Sequence, residues 1–290
     1  MPRTIEEGFS DFHDKLKTTA AETAAAKSHR ASIESCLKDK FNLTQFFRIG
    51  SFGNGTNISG YSDVDYLASI PTENLKKRSS VSLSNVKEAL ATRFPNTGVR
   101  VSCPAVVCPF GKDGSETTEI VVADYIKEEN NFSVYEIADG NDEWMRISPE
   151  AHNDYVRKID NKHDGKVKKL IRFIKAWKYF RDVPIKSFYL EMRVAKYAES
   201  EQSIVFDIDV NCILNLLLNS ELSAMQDPMG IAGYIYPCQT DSQKNDVISK
   251  LKTAVSRSEK ARNLTREDKI QEAFECWRLL YNDKFPSYYR

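Results

Sequence analysis

Apolar residues recur at helical spacing at the start of the chain: Ile5, Phe9, Phe12 and Leu16, then Ile33 and Leu37 beyond an alanine-rich stretch at 20–26. Residues three and four apart share one helix face, so the pattern predicts one long helix over 4–40, bracing the molecule. The period then shortens. Residues 44–49 and 63–70 read as strands, and 82–94 as a helix with Val86, Leu90 and Phe94 on one side. Residues 99–107 read as a strand containing Pro104, which cannot donate to a ladder, so that strand belongs at an edge or a bulge. After a glycine turn at 111–114 comes a hydrophobic strand at 118–123. The first half is α+β with a mixed or mainly antiparallel sheet.

Beyond Trp144 helical periodicity takes over. Pro149 suits a helix's first turn and opens one to about 160. Residues 165–181 place Val167, Leu170, Ile171, Ile174 and Trp177 inward. Helices are expected at 187–199, 210–218, 241–262 and 265–281, the last opened by a capping-box-like Thr265-Arg266-Glu267-Asp268. The reading is two domains: 1–160, a core with its N-terminal helix, and 161–290, helical.

Composition narrows the class. The 290 residues carry 41 Lys+Arg and 41 Asp+Glu, a formal net charge of zero. That argues against a protein that coats nucleic acid through bulk charge, and it suits a small charged substrate. The six cysteines form no CxxC pair and the four histidines show no zinc spacing beside them, so free thiols in a reducing compartment are expected, without structural zinc. No apolar run reaches the roughly 20 residues of a membrane span, and the N-terminus has no apolar leader. Cytoplasm is the expected location.

Chemistry concentrates at 48–65, Arg-Ile-Gly-Ser-Phe-Gly-Asn-Gly-Thr-Asn-Ile-Ser-Gly-Tyr-Ser-Asp-Val-Asp. Asp63 and Asp65 head a strand, where positions i and i+2 point the same way. Two carboxylates on one face suit hard divalent cations. Upstream, glycines let backbone N–H groups approach a polyphosphate, and Gly50-Ser51 closes a strand. A phosphate cradle followed by metal carboxylates is the order expected of a nucleotidyl-transfer site, with two ions and no general-base histidine.

Gly50-Ser51, Gly55-Thr56 and Ser62-Asp63-Val64-Asp65 resemble the signature of polymerase-β-type nucleotidyltransferases. The stretches 144–152, 170–177 and 186–191, with Ala273-Phe274-Glu275-Cys276-Trp277 and Phe285-Pro286, are similar to the bacterial cGAS/DncV-like nucleotidyltransferases. The resemblance spans about 40–286. It implies a polymerase-β-like core with a mixed sheet and a helical, oligoadenylate-synthase-like C-terminal domain. It also implies a monomeric maker of cyclic di- or trinucleotide signals from ATP or other nucleoside triphosphates with Mg²⁺ or Mn²⁺, whose product activates an effector in anti-phage (CBASS) defence. It assigns Glu119 as third metal ligand beside Asp63 and Asp65, with Asp124 as its rival. Gly50, Ser51, Thr56, Lys175 and Ser187 become nucleotide contacts, and Phe188 a base-stacking ring. The departures are Glu119 where Asp is commoner and Val122 in place of a proline. The competing readings are an RNA-tailing or transfer-RNA nucleotidyltransferase, an Asp-x-Asp sugar-nucleotide transferase, and a nucleotide-sensing pseudoenzyme.

Overall fold

The computed structural model describes residues 3–19, 24 and 29–289. Helix α1 (Ile5–Leu16) starts at a capping box: the Glu7 N–H donates to the Thr4 hydroxyl at 3.2 Å, and the Thr4 N–H donates to the Glu7 carboxylate at 3.1 Å. It does not continue to residue 40. Lys17 is extended (φ −68°, ψ 138°), and a separate helix, α2, spans Arg30–Phe41. The β-branched Thr18 and Thr19 that follow Lys17 are poor helix formers. Apart from residue 24, the alanine-rich stretch lies outside the described residues.

The chain divides into two units. One takes the chain through Lys17, Tyr155–Pro228 and Gly233 onward; the other takes Thr18–Asp154 and Met229–Ala232. Helix α1 therefore belongs to the helical unit, not to the core that its position in sequence suggests. Its buried Phe9 and Phe12 meet Phe173, Trp277, Tyr281 and Phe285 with ring centres 4.5–5.8 Å apart. Burial of that aromatic stripe gives the helix its location.

The core unit holds a seven-stranded sheet: β1 (Gln45–Arg48), β2 (Val64–Ser69), β3 (Arg100–Ser102), β4 (Ala105–Phe110), β5 (Glu116–Glu129), β6 (Phe132–Ala138) and β7 (Trp144–Ile147). The order is β1-β2-β5-β4-β3, with β6 also on β5 and β7 on β6. Only β2 and β5 pair in parallel among the described strands. A short helix, α3 (Gly50–Asn54), joins β1 towards β2, and α4 (Ser79–Arg93) packs with α2. On one sheet face Tyr66, Ala68, Val106, Ile120 and Val122 meet Ile33, Leu37, Leu83, Val86 and Leu90. On the other, Ile49, Leu67, Val121, Ala123 and Tyr135 cluster. Strand β2 is apolar on both faces, as a strand covered on both sides must be.

Pro104 is neither at a bulge nor inside a strand. It and Cys103 are the two turn residues of the β3–β4 hairpin, where Ser102 pairs with Ala105 across a cis peptide. Strands β6 and β7 extend the sheet beyond the sequence reading.

The helical unit contains α6 (Lys166–Phe180), α7 (Ser187–Ser200), α8 (Phe206–Asn219), α9 (Asp241–Arg266) and α10 (Ile270–Leu280), with a small ribbon of Met225–Gln226 and Tyr234–Ile235. Helix α5 (Pro149–Lys162) contains the division at residues 154/155. Thr265 caps nothing: it sits inside α9, its hydroxyl donating to the Ala261 carbonyl at 2.9 Å. The break comes at Asp268, φ +58°. No helix of the described residues is long and apolar enough to cross a membrane, and all six cysteines are unpaired.

Candidate active site

Strand β1 delivers the chain to Gly50. The Ile49 N–H donates to the Asp65 carbonyl at 2.9 Å, which locks β1 beside β2. Gly50 then turns into α3 at φ +59°, and a Cβ there would lie 2.0 Å from Asp65 Oδ2. Glycine is required twice over, by conformation and by space. Gly55 ends α3 at φ +68° with nothing near its Cβ position, so only conformation asks for glycine there. Ser51 is half-buried in the first turn of α3, where backbone N–H groups have no intrahelical acceptor. Thr56 is wholly buried, and its N–H donates to the Ser51 carbonyl at 2.8 Å, closing the turn behind the helix.

Asp63 is exposed just before β2, and Asp65 is half-buried inside it. The parallel pairing of β2 and β5 sets Asp65 directly opposite Glu119. Burial raises the Glu119 carboxyl above its ordinary range and the charge of Asp63 raises it further, while a hydrogen bond shared with Asp65 works against both. The three acids therefore feel one another. Asp124, five residues along β5, is engaged elsewhere: its carboxylate accepts from the Thr72 hydroxyl at 2.9 Å. Among the described residues, no three His, Cys, Asp or Glu side chains lie together as a ready-made metal site. As a donor set, however, Asp63, Asp65 and Glu119 fit a hard divalent cation. Their carboxylate oxygens are the donor type such a cation takes, at the head of β2 and on the neighbouring β5, and their mutual repulsion is what a cation would relieve.

In the helical unit the reading of Lys175 changes. Its side chain is fully buried and its ammonium donates to Glu191 at 2.7 Å. An ammonium without water needs such a counterion. One turn along α6, Lys178 Nζ donates to the Ser187 hydroxyl at 2.6 Å, in the first turn of α7. Lys186, not Ser187, is the N-cap. Phe188 is 40 % exposed rather than a core ring. Glu191 and Lys178 escaped the sequence reading. Their signal was spacing: Ser187 and Glu191 lie four apart, Lys175 and Lys178 three apart, each pair on one helix face.

A strand leading into Gly-Ser at the head of a short helix, an Asp-x-Asp at the start of the next strand and a third acid in register on a parallel strand define a polymerase-β-like nucleotidyltransferase fold. Residues 3–160 match the family model described as Second Messenger Oligonucleotide or Dinucleotide Synthetase domain. The match covers more than half of the chain, and the protein belongs to that family of cGAS/DncV-like nucleotidyltransferases. A curated probable cyclic nucleotide synthase of Bacillus cereus (strain VD146) is 27 % identical over 171 residues, 58 % of this chain and 51 % of the relative. The chain thus spans about half the length of the curated relative it matches. Escherichia coli MS115-1 CdnC with ATP superposes with a TM-score of 0.76 at 17 % identity, covering 97 % of this chain and 99 % of that one. Vibrio cholerae DncV cyclic AMP-GMP synthase, in complex with the linear intermediate 5′ pppA(3′,5′)pG, superposes with a TM-score of 0.65 at 16 % identity, covering 98 % and 88 %. At these identities the likeness is one of fold.

Proposed function

We propose that this protein joins nucleoside triphosphates, without a template, into a cyclic di- or trinucleotide second messenger and releases pyrophosphate. The observation that carries the reading is the register of Asp65 opposite Glu119, with Asp63 in electrostatic reach and Gly50 against the Asp65 carboxylate. The B. cereus relative's description as a probable cyclic nucleotide synthase, and the linear intermediate named for DncV, support the same class.

Asp63, Asp65 and Glu119 would hold Mg²⁺ or Mn²⁺. Bound there, two such ions supply a lowered pKa for the attacking ribose hydroxyl and charge neutralisation for the leaving pyrophosphate. The chain's own groups position the reactants. The α3 amides and the Ser51 hydroxyl hold the β- and γ-phosphates, and Gly50 allows their close approach. Lys178 and Ser187 offer an ammonium and a hydroxyl to phosphate, and the exposed Phe188 ring offers a face to a base. Lys175, sealed against Glu191, supports the helix that carries Lys178. Positioning and charge neutralisation account for the rate. In this reading the enzyme works as a cytoplasmic monomer, and its product activates a separate effector in bacterial anti-phage signalling.

The test is incubation with all four ribonucleoside triphosphates and Mg²⁺, without RNA. The expected product is nuclease-resistant and cyclic by mass spectrometry, and it vanishes in Asp63→Ala/Asp65→Ala. A requirement for an RNA acceptor, or pyrophosphate release by the double variant, overturns the reading.

A further inference from the structure

Residues paired across neighbouring strands share one face of a sheet, and one such row runs through the three acids. Asp65 on β2 pairs with Glu119 on β5, Glu119 with Val107 on β4, and Val107 with Arg100 on β3. At the other end of the row the Ile49 N–H donates to the Asp65 carbonyl, and Gly50 opens α3 against the Asp65 carboxylate. The row therefore reads, in order, a helix start, two carboxylates, a short apolar residue and a cation.

Val107 is buried and puts nothing polar between Glu119 and Arg100. Strand β3 is the last of its side of the sheet, and Arg100 is exposed on it. With the described residues its guanidinium makes no hydrogen bond and no ion pair. It stands near enough to Glu119 for its charge to favour that carboxylate's ionised form. Five N–H donors in a planar fork suit a phosphate, edge-on.

We propose that Arg100 binds the 5′-phosphate of the second nucleotide, the one whose ribose hydroxyl attacks. The inference rests on the nucleotidyl-transfer reading. In that reaction the attacking and leaving oxygens stand roughly in line through the reacting phosphorus. The leaving pyrophosphate lies at α3, beside β1 and β2. The attacking nucleotide then comes from the far side of Glu119, over β4 and β3. Arg100 is three strand spacings from Asp65, roughly 14 Å. That is too far to serve phosphates held at α3, and it is the side from which the second nucleotide arrives.

The experiment is calorimetric titration of the whole protein in Mg²⁺ with the α,β-methylene analogues of ATP, GTP, CTP and UTP, singly and in pairs. The methylene bridge blocks pyrophosphate release, so binding is read without turnover. The parent should show two sites. Arg100→Met should weaken one of them about tenfold or more, the scale of a lost charge-assisted bond, and leave the other within about twofold. Arg100→Lys, which keeps the charge but not the fork, should recover part of the loss. Nucleosides, which lack the phosphate, should bind the second site of the parent and of Arg100→Met alike. Two unchanged sites in a folded Arg100→Met, or equal weakening of both, overturns the assignment and leaves the transferase reading standing. Binding of no analogue by the parent overturns the transferase reading, and this proposal with it. Should Arg100→Met fail to fold, Arg100→Gln carries the same test.

Discussion

Gly50 sits so close under Asp65 that any side chain there would enter the carboxylate: a Cβ would lie 2.0 Å from Oδ2. The proposed phosphate loop and the proposed metal acid Asp65 are thus one packing unit. Gly50→Ala should move Asp65, and it adds the cost of alanine at φ +59°, about 1–2 kcal/mol. Gly55→Ala carries a similar backbone cost at φ +68° with empty space around it. Both variants should melt lower than the parent, while pyrophosphate release is lost in Gly50→Ala and kept in Gly55→Ala.

The register of β2 against β5 sets Glu119, not Asp124, opposite Asp65, and the proposed reaction rests on Glu119 as the third acid. Glu119→Gln should cut pyrophosphate release by about 10²–10³-fold, the scale of removing one group that stabilises developing charge. Asp124→Asn should leave turnover within a few-fold of the parent, because Asp124 serves Thr72. Comparable losses in both variants would reverse the assignment.

Lys175 and Glu191 form a buried pair, 0 % and 8 % exposed in their side chains. Removing either partner strands a charge and should cost about 3–5 kcal/mol. The double change Lys175→Met/Glu191→Met should recover most of that loss in a denaturant melt. Lys178→Met, one turn along α6, should spare stability and raise the KM for ATP.

His13 lies buried in the helical unit, where Arg172 donates to its Nε2 at 3.0 Å. Burial first, then the charges of Arg172, Lys17 and Lys169, push its pKa down to about 4. The unfolded chain, with a histidine near 6.5, takes up this proton first as pH falls. Stability should therefore decline between about pH 6.5 and about pH 4 and level off below, with a span on the order of 2–3 kcal/mol. Melting curves of the parent and His13→Asn across that range check the sign; the variant should show the shallower decline.

Much of this was legible along the chain. The Gly-Ser turn, the i and i+2 placement of Asp63 and Asp65 and the helical periods at 149–160, 165–181 and 187–199 are local signals. Local signals survive because spacing alone puts side chains on one face. Boundaries that depend on turn chemistry were less secure. Pro104 became a hairpin turn and Thr265 part of the last turn of α9, since neither shows in sequence which distant strand or helix it meets.

By itself the sequence determined the strand–loop–strand bearing Gly50, Ser51, Asp63 and Asp65, the α+β-then-helical order and the family. Only the tertiary structure decided that β2 and β5 run in parallel with Asp65 opposite Glu119, that α1 packs into the helical unit, and that Lys175 is sealed against Glu191. The reason is physical. Periodicity is written within a few residues, whereas strand register and the burial of a charge depend on surfaces supplied from dozens of residues away.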